Sequence, residues 1–552
     1  MKIKFCTSLL ILFFFNLHLS AQFTEQTISP AALLNNSYSS VAWGDYNNDS
    51  KLDILITGLL GSKLYRNRGG NTFIEVTGLS MPKLAYSTVA WGDYDNDGDL
   101  DFVIAGFNTA EGPLYGNTTT IYNNDAGVFN MLPARLTGIS RGTVAWGDYD
   151  NDGDLDLLVT GDTTSTGLSG ITKIYKNMGR SVFSEQTSIV LIGISAGASA
   201  AWADYDRDGD LDLVLSGGIN NGNSRISKIY KNDFPINSFT EQPIVLYPLQ
   251  ASSLAWGDYD NDGDPDLLLT GLDTTFLYKN NYPLNTFSQI TVSPAGLTGV
   301  GQGSVKWGDY DNDGKLDIFL SGHTRGWPGV GPAVAKLYRN GGGNTFREVI
   351  ITPVPLKGVS LSSLALGDYN NDGRLDLLLT GKTDDAGATV TKLYRNTGGV
   401  IANTAPSVPT DFTISVEDGF GIFHWTRSHD NTTPQDGLQY NLAISTDFRS
   451  VNKLSPMADL GNGYRRVPAA GNTNYMNSWA IKGFSGGIWG RTYYCAVQAI
   501  DNSYAGSPFN VQKIYVKGWL QKNRLILVTI FVVMLALFYL MIRRRKKKTP
   551  AG

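Results

Sequence analysis

The chain runs to 552 residues, with 45 Lys+Arg against 50 Asp+Glu and a formal net charge of −5. Two cysteines in that length exclude a disulfide framework. No basic, aromatic-rich cluster stands outside the extreme C-terminus, which excludes a nucleic-acid reader.

Residues 1–21 read as a secretory signal peptide: Lys2 and Lys4 precede the apolar run Leu9–Phe15, and Ser20-Ala21 offers a cleavage point before Gln22. Cys6 leaves with it, so Cys495 is alone and something other than a disulfide must brace the exported fold. Setting aside Lys2, Lys4 and the eight cations beyond Leu520 leaves 35 Lys+Arg against 50 carboxylates, a net of −15. Seven bound divalent cations would nearly neutralise that excess.

From residue 41 to 400 the chain is repetitive. The motif DYDNDGDLD (93–101) recurs in recognisable form seven times, anchored on Asp45, Asp93, Asp148, Asp204, Asp258, Asp309 and Asp368, at spacings of 48, 55, 56, 54, 51 and 59. A period near fifty residues predicts a closed array of similar units. Each unit opens with a short apolar stretch ending in Trp-Gly (Trp43, Trp91, Trp146, Trp202, Trp256, Trp307), with Leu366 in the seventh unit and Ala203 replacing Gly in the fourth. After the acidic loop comes a continuous apolar run such as Leu267–Leu269, the pattern of a strand buried on both faces. A K-[LI]-Y-[RK]-N strand follows, as in KLYRN (63–67) and KIYKN (173–177), and then a strand opening on Phe73, Phe129, Phe183, Phe239, Phe287 or Phe346.

Short strands at this spacing predict four-stranded blades and an all-β, seven-bladed β-propeller over 22–400. Seven tyrosine strands but only six phenylalanine strands follow the loops. Phe23-Thr24-Glu25-Gln26 resembles Phe239-Thr240-Glu241-Gln242. Phe23 is therefore expected to supply the last strand of the seventh blade and close the ring without an open sheet edge.

In the loop Asp93–Asp101, oxygen donors fall at positions 1, 3, 5 and 9 (Asp93, Asp95, Asp97 and Asp101), and position 7 can offer its carbonyl. Such a set, without His or Cys, suits calcium, which takes six to eight hard oxygen ligands. Gly98 at position 6 permits the sharp turn around an ion. An EF-hand would place Glu at position 12, but Ile104 stands there, so the loop joins strands rather than helices.

These residues resemble the FG-GAP or VCBS repeats, whose best-known relatives are the integrin α-subunit propellers. The resemblance implies Ca²⁺ between the first two strands of each blade. It places ligands at Asp148, Asp150, Asp152 and Asp156, at Asp204, Asp206, Asp208 and Asp212, at Asp258, Asp260, Asp262 and Asp266, and at Asp309, Asp311, Asp313 and Asp317. Asp45, Asn47, Asp49 and Asp53 in the first loop, and Asp368, Asn370, Asp372 and Asp376 in the seventh, each lack one carboxylate, and weaker sites are expected there. Up to seven structural calcium ions are the expected cofactors, since a catalytic ion would be singular and need an open position.

Past Pro406 and Pro409 the acidic repeat stops. Over 405–517, Trp425, DGLQYNLAIS (436–445) and YYCAVQAID (493–501) resemble a fibronectin type III-like sandwich. Alternation puts Tyr493, Cys495, Val497 and Ala499 on its core face, and a spacer between ring and bilayer is its expected role. Leu525–Ile542 is eighteen residues without a charge, about 27 Å as a helix and enough to cross a bilayer. Arg543–Lys548 is basic throughout, so the tail 543–552 is expected in the cytoplasm and the N-terminal ectodomain outside it, at the cell surface or in the periplasm.

Catalytic signatures are thin: His323, His424 and His429 are the histidines beyond the leader, and no G-x-S-x-G, H-E-x-x-H or phosphate loop stands out. A non-enzymatic binding or adhesion protein is expected, with a protein or glycan partner. A carbohydrate-active or other hydrolytic enzyme on the same ring, and a structural envelope component, are the alternatives. The connections between second and third strands vary most in length, from 271–275 to 322–335, and His323, Arg325 and Trp327 are the candidate ligand contacts there, with Phe107 and Tyr115 next.

Overall fold

The apolar runs that follow each acidic loop become the second strand of a blade and are buried along their length, as in Asp53–Thr57, Asp156–Asp162 and Asp266–Gly271. A computed structural model describes residues 20–546 apart from 111–114, 165–168, 220–221, 273, 325–330, 385–386, 399–400 and 449, with backbone alone at 20–22, 353, 538 and 541–546. Seven sheets, each with four antiparallel strands and one of them with a further parallel strand, succeed one another along the chain, an arrangement consistent with a seven-bladed propeller. Blade one is Ser40–Gly44, Asp53–Thr57, Lys63–Asn67 and Phe73–Glu75, and the next five repeat the pattern through Phe346–Glu348.

The ring closes where the unmatched phenylalanine predicts. Blade seven comprises Ser360–Gly367, Asp376–Lys382 and Thr389–Asn396, and its fourth strand is Ser20–Glu25. Phe23 pairs with Asn396, the register that Phe73 has with Asn67 and Phe183 with Asn177. Phe23 is 1% exposed and packs against Phe319 and Tyr310 of blade six, ring centroids 6.1 and 6.4 Å away. The strand begins at Ser20, ahead of the expected mature start. Its first residues pair in parallel with Ile350–Pro353, so the sheet has a fifth strand.

Two repeated residues lock each blade to the one before it. Asn124, Asn177, Asn232, Asn280, Asn340 and Asn396, at or one residue before the ends of the third strands, each donate an Nδ2 hydrogen bond of 2.7–2.8 Å to the loop-tyrosine carbonyl of the preceding blade. Asn67 completes the circle with Tyr369 (2.8 Å). The Trp-Gly pairs form the second lock, because the glycine leaves room for the indole of the next blade. A Cβ on Gly92 would lie 2.7 Å from Trp146, and one on Gly44 2.8 Å from Trp91. Leu366 takes the indole's place against Gly308. Trp43 and Trp146 lie flat on the loop tyrosines Tyr369 and Tyr94 of the preceding blades, at 5.9 and 6.0 Å.

Residues 410–516 form two three-stranded sheets, Thr410–Glu417, Phe420–Thr426 and Ser478–Lys482 on one side, Gln439–Ser445, Arg491–Ile500 and Asn510–Val516 on the other. They share one core that holds Trp425, Tyr440, Tyr493, Cys495, Val497 and Ala499. This second domain is not a free spacer. Its loops rest on the acidic-loop face of the ring: Lys482 N donates to Asn151 O (2.7 Å), and Ser455 N to Asn96 Oδ1 (2.6 Å).

A helix, Arg524–Lys546, follows, and its described apolar side chains are exposed apart from half-buried Leu527. Among the described residues no helix is long and apolar enough to cross a membrane. The expected span, 525–542, runs onto residues whose side chains are not described. The expected signal peptide lies, but for its last two residues, outside the described residues.

Candidate metal centres

Each acidic loop is a tight turn built on the carboxylate at position 1. In the second loop Asp93 Oδ1 accepts the N–H of Asp97 and Oδ2 that of Gly98, both at 3.0 Å. Asp45, Asp148, Asp204, Asp258, Asp309 and Asp368 do the same in theirs. Position 9 ties the loop to the rest of the blade. Asp101 Oδ1 accepts the N–H of Asn124 (2.8 Å) and Oδ2 that of Tyr94 (3.1 Å). The sixth residue turns left-handed, with φ of +97° at Gly98 and +82° at Gly314, where glycine avoids steric cost. Ser50 adopts the same conformation in the first loop at φ +59°.

Five of the loops bring three carboxylates together, with ligand atoms within 4.8 Å of one another. They are Asp93, Asp95 and Asp101; Asp148, Asp150 and Asp156; Asp204, Asp206 and Asp212; Asp309, Asp311 and Asp317; and, in the fifth loop, Asp258, Asp260 and Asp262. Asp266 thus stands outside its loop's trio. Position 5 does so in the other four, Asp97, Asp152, Asp208 and Asp313, and its Oδ1 accepts the N–H of residue 7. The first and seventh loops form no such trio. Asn47 donates its amide to Asp53 (2.9 Å) and Asn370 to Asp376 (3.2 Å), so an N–H stands where the other loops crowd a third carboxylate.

The residues fit a divalent cation. Buried oxygens point into the loops without a partner: Asp150 Oδ1, Asp156 Oδ2, Asp206 Oδ1 and Asp311 Oδ1. Burial, and after it the neighbouring carboxylates, pushes Asp101 up to about 9, Asp93 to about 7 and Asp309 to about 8. Asp148, Asp204, Asp212 and Asp317 are raised well above the carboxylate range, chiefly by burial. Groups so placed ionise readily only beside a positive charge.

A positive charge partly supplied by the chain itself was not foreseen. The fourth residue of the K-[LI]-Y-[RK]-N strand reaches over the loop. Lys176 pairs with Asp150 and Asp152, Lys231 with Asp206 and Asp208, and Lys279 with Asp260 and Asp262. Arg339 spans Asp311 and Asp313. In the second loop the place is taken by neutral Asn123, which donates to Asp95 (2.9 Å). The alternation of the KLYRN strand carried this signal, because it puts the basic residue on the loop side of the tyrosine.

The loops also touch one another. The fourth residue of each turns left-handed and bonds the next loop round the ring: Asn96 to Gly153 O (3.1 Å), Asn151 to Gly209 O (3.0 Å), Arg207 to Asp264 (3.0 Å), Asn261 to Gly314 O (3.0 Å) and Asn312 to Gly373 O (2.9 Å). Asn371 to Ser50 O (2.8 Å) and Asn48 to Asp99 (2.7 Å) complete the cycle.

On the opposite face, His323 ends the second strand of blade six, half-buried, with Nδ1 3.0 Å from Gly331 O. Arg325 and Trp327 lie outside the described residues. Phe107 and the exposed Tyr115 meet edge to face at 5.1 Å. Three half-buried side chains that the sequence reading passed over meet at the inner strands of blades one to three. Tyr38 contacts Tyr86 at 4.4 Å, and the Arg141 guanidinium stacks 3.8 Å over Tyr86.

Residues 58–104, 148–215, 258–320 and 329–379 match the FG-GAP-like repeat family. No curated protein matches the chain. Among solved structures, the chain is similar to an Agrocybe aegerita lectin that recognises non-reducing terminal N-acetylglucosamine (16% identity, 57% of this chain and 79% of that one, TM-score 0.38). It is also similar to a Penicillium chrysogenum α-L-arabinanase (14%, 67% and 100%, TM-score 0.36) and a Trypanosoma rangeli sialidase (10%, 91% and 89%, TM-score 0.30). Four stretches of the ring thus match FG-GAP-like repeats, and the seven successive sheets are consistent with a repeat β-propeller.

Proposed function

We propose that this protein is a calcium-braced, membrane-anchored binding protein that presents its propeller outside the cytoplasm for adhesion to a protein or glycan. One observation carries the reading: the two faces of the ring are put to different uses. The acidic-loop face is covered by the second domain, which leaves the face with the length-variable connections outward. The Tyr38–Tyr86–Arg141 cluster on that face supports a contact role, because aromatic and arginine side chains dominate recognition surfaces. Calcium is the ion of choice for all-oxygen loops, and its chemistry here is to neutralise crowded carboxylates and hold the turns.

Binding is favoured over catalysis because the carboxylate groupings among the described residues all belong to the loops, in every case as part of a repeated brace. The helix Arg524–Lys546, apolar over most of its length and ending in basic residues, is read as the anchor, and the two-sheet domain as fibronectin type III-like. The test is a glycan array with a parallel pull-down from cell-surface extracts, using the full chain in detergent with calcium. Saturable binding that Arg141→Ala abolishes supports the reading. Turnover of an array glycan, or no binding in either format, refutes it.

A further inference from the structure

The second domain is seated on the metal loops themselves, through atoms whose positions the loop turns define. Asp309 N, in the first residue of loop six, donates to Asn502 O (3.2 Å), and Ser503 Oγ donates to Asp309 O (3.1 Å). Asn502 Nδ2 donates to Gly314 O (3.0 Å), and Tyr504 Oη to Trp307 O (2.9 Å). In loop five the N–H of Asp258 donates to Tyr475 Oη (3.0 Å), and in loop three Lys453 donates to Asp152 O (2.9 Å).

The sixth-position glycines report the same seating independently. A Cβ on Gly314 would lie 1.9 Å from Thr432 O, and one on Gly153 2.4 Å from Lys453 O, so the domain's backbone lies directly against these turns. At Gly209, in loop four, and at Gly98, in loop two, a Cβ would meet nothing within 4 Å. In the hydrogen bonds loop four differs from loops three, five and six: among the described residues Asp204–Asp212 makes none to the second domain.

We propose that metal binding in loops three, five and six and docking of the second domain are one linked equilibrium, so the ion content of the ring sets whether the propeller is held rigidly on its stalk. This rests on the calcium reading above. An ion pulled in by positions 1, 3 and 9 in loops three and six, and by positions 1, 3 and 5 in loop five, fixes the turn whose N–H groups and carbonyls the domain grips. The domain in turn selects that turn among the conformations a metal-free loop can sample. Coupling of this kind is reciprocal: weakening the grip weakens metal binding by the same factor. Loop four, gripped by neighbouring loops alone, is outside the linkage and is a control within the same molecule.

The test is a calcium titration of the full chain followed by hydrogen exchange, read separately on the peptides covering 204–212, 309–317 and 501–507. In the wild type, 309–317 and 501–507 gain protection with a common calcium midpoint. Ser503→Ala with Tyr504→Phe removes three hydrogen bonds to loop six and blade six but leaves every loop carboxylate in place. It is expected to raise the 309–317 midpoint about fivefold and to change that of 204–212 less than twofold. Asn502→Ala alone, with its own thermal denaturation, is the second variant in case the pair disturbs the domain's fold. An unmoved 309–317 midpoint, or equal shifts in both loops, overturns the linkage while leaving the calcium reading standing. No calcium response in any loop peptide removes both.

Discussion

Metal-free protein is expected to become more stable as the pH falls from 7 to 5, the reverse of a fold held by paired carboxylates. Asp101 shows why. It is 0% exposed, and burial, with Asp95 and Asp93 adding to it, pushes its pKa up to about 9, far above the ordinary carboxylate range. The folded state without metal therefore keeps a proton that the unfolded state gives up above pH 4, and stability falls with rising pH across that window. Each pH unit is worth about 1.4 kcal/mol for one such group, so moving from pH 7 to 5 returns about 3 kcal/mol in the second loop alone. Calcium reverses the trend because it requires the ionised ligands, so affinity, and the stability it confers, falls as pH falls. At a hundredfold excess over Kd one site adds about 2.7 kcal/mol. The assay is scanning calorimetry on resin-stripped protein between pH 5 and 7.5, with and without millimolar calcium. Crossing curves are expected, with the stripped protein melting several degrees higher at pH 5 than at 7. A stripped protein whose melting temperature is flat or rises with pH would refute the account of the loops as crowded, burial-strained carboxylates.

Phe23→Ala should cost about 3–5 kcal/mol in urea denaturation, because the ring it removes packs on Phe319 and Tyr310 at the closure of the wheel; a loss under 1 kcal/mol would mean that the closure contributes little. Asn177→Ala removes Nδ2 bonds to Tyr94 O (2.7 Å) and Leu155 O (3.2 Å) and the Oδ1 acceptor for Gly179 N (2.9 Å), leaving buried carbonyls unpaired. A cost of about 2–4 kcal/mol is expected, and equal stability by calorimetry would show that the lock between blades three and two lies elsewhere.

The blade count, the four-part order within a blade and the ring closure were all legible in the chain, because period-two alternation and a fifty-residue repeat are local patterns. Phe23 could be matched to blade seven from a missing strand and a similar tetrapeptide. The carboxylates at positions 1, 3 and 9 were equally legible, since nine residues of turn bring them together regardless of what surrounds them. Residues that act across a boundary were not. Asn177 looks like the polite end of a strand until blade two places Tyr94 O beside its amide. Lys176 looks like a solvated cation until strand pairing swings it over Asp150 and Asp152. Asn47 was read as a ligand with one charge missing, and that its amide N–H donates to Asp53 at 2.9 Å was not legible in the chain. The seating of Asn502, Ser503 and Tyr504 on loop six joins residues almost two hundred positions apart, and nothing in either segment announces the other. Periodicity dictates which strands form and in what order. Which donor meets which orphaned carbonyl is decided when the blades stack and the second domain lands, because a hydrogen bond depends on positions in space that short-range patterns do not encode.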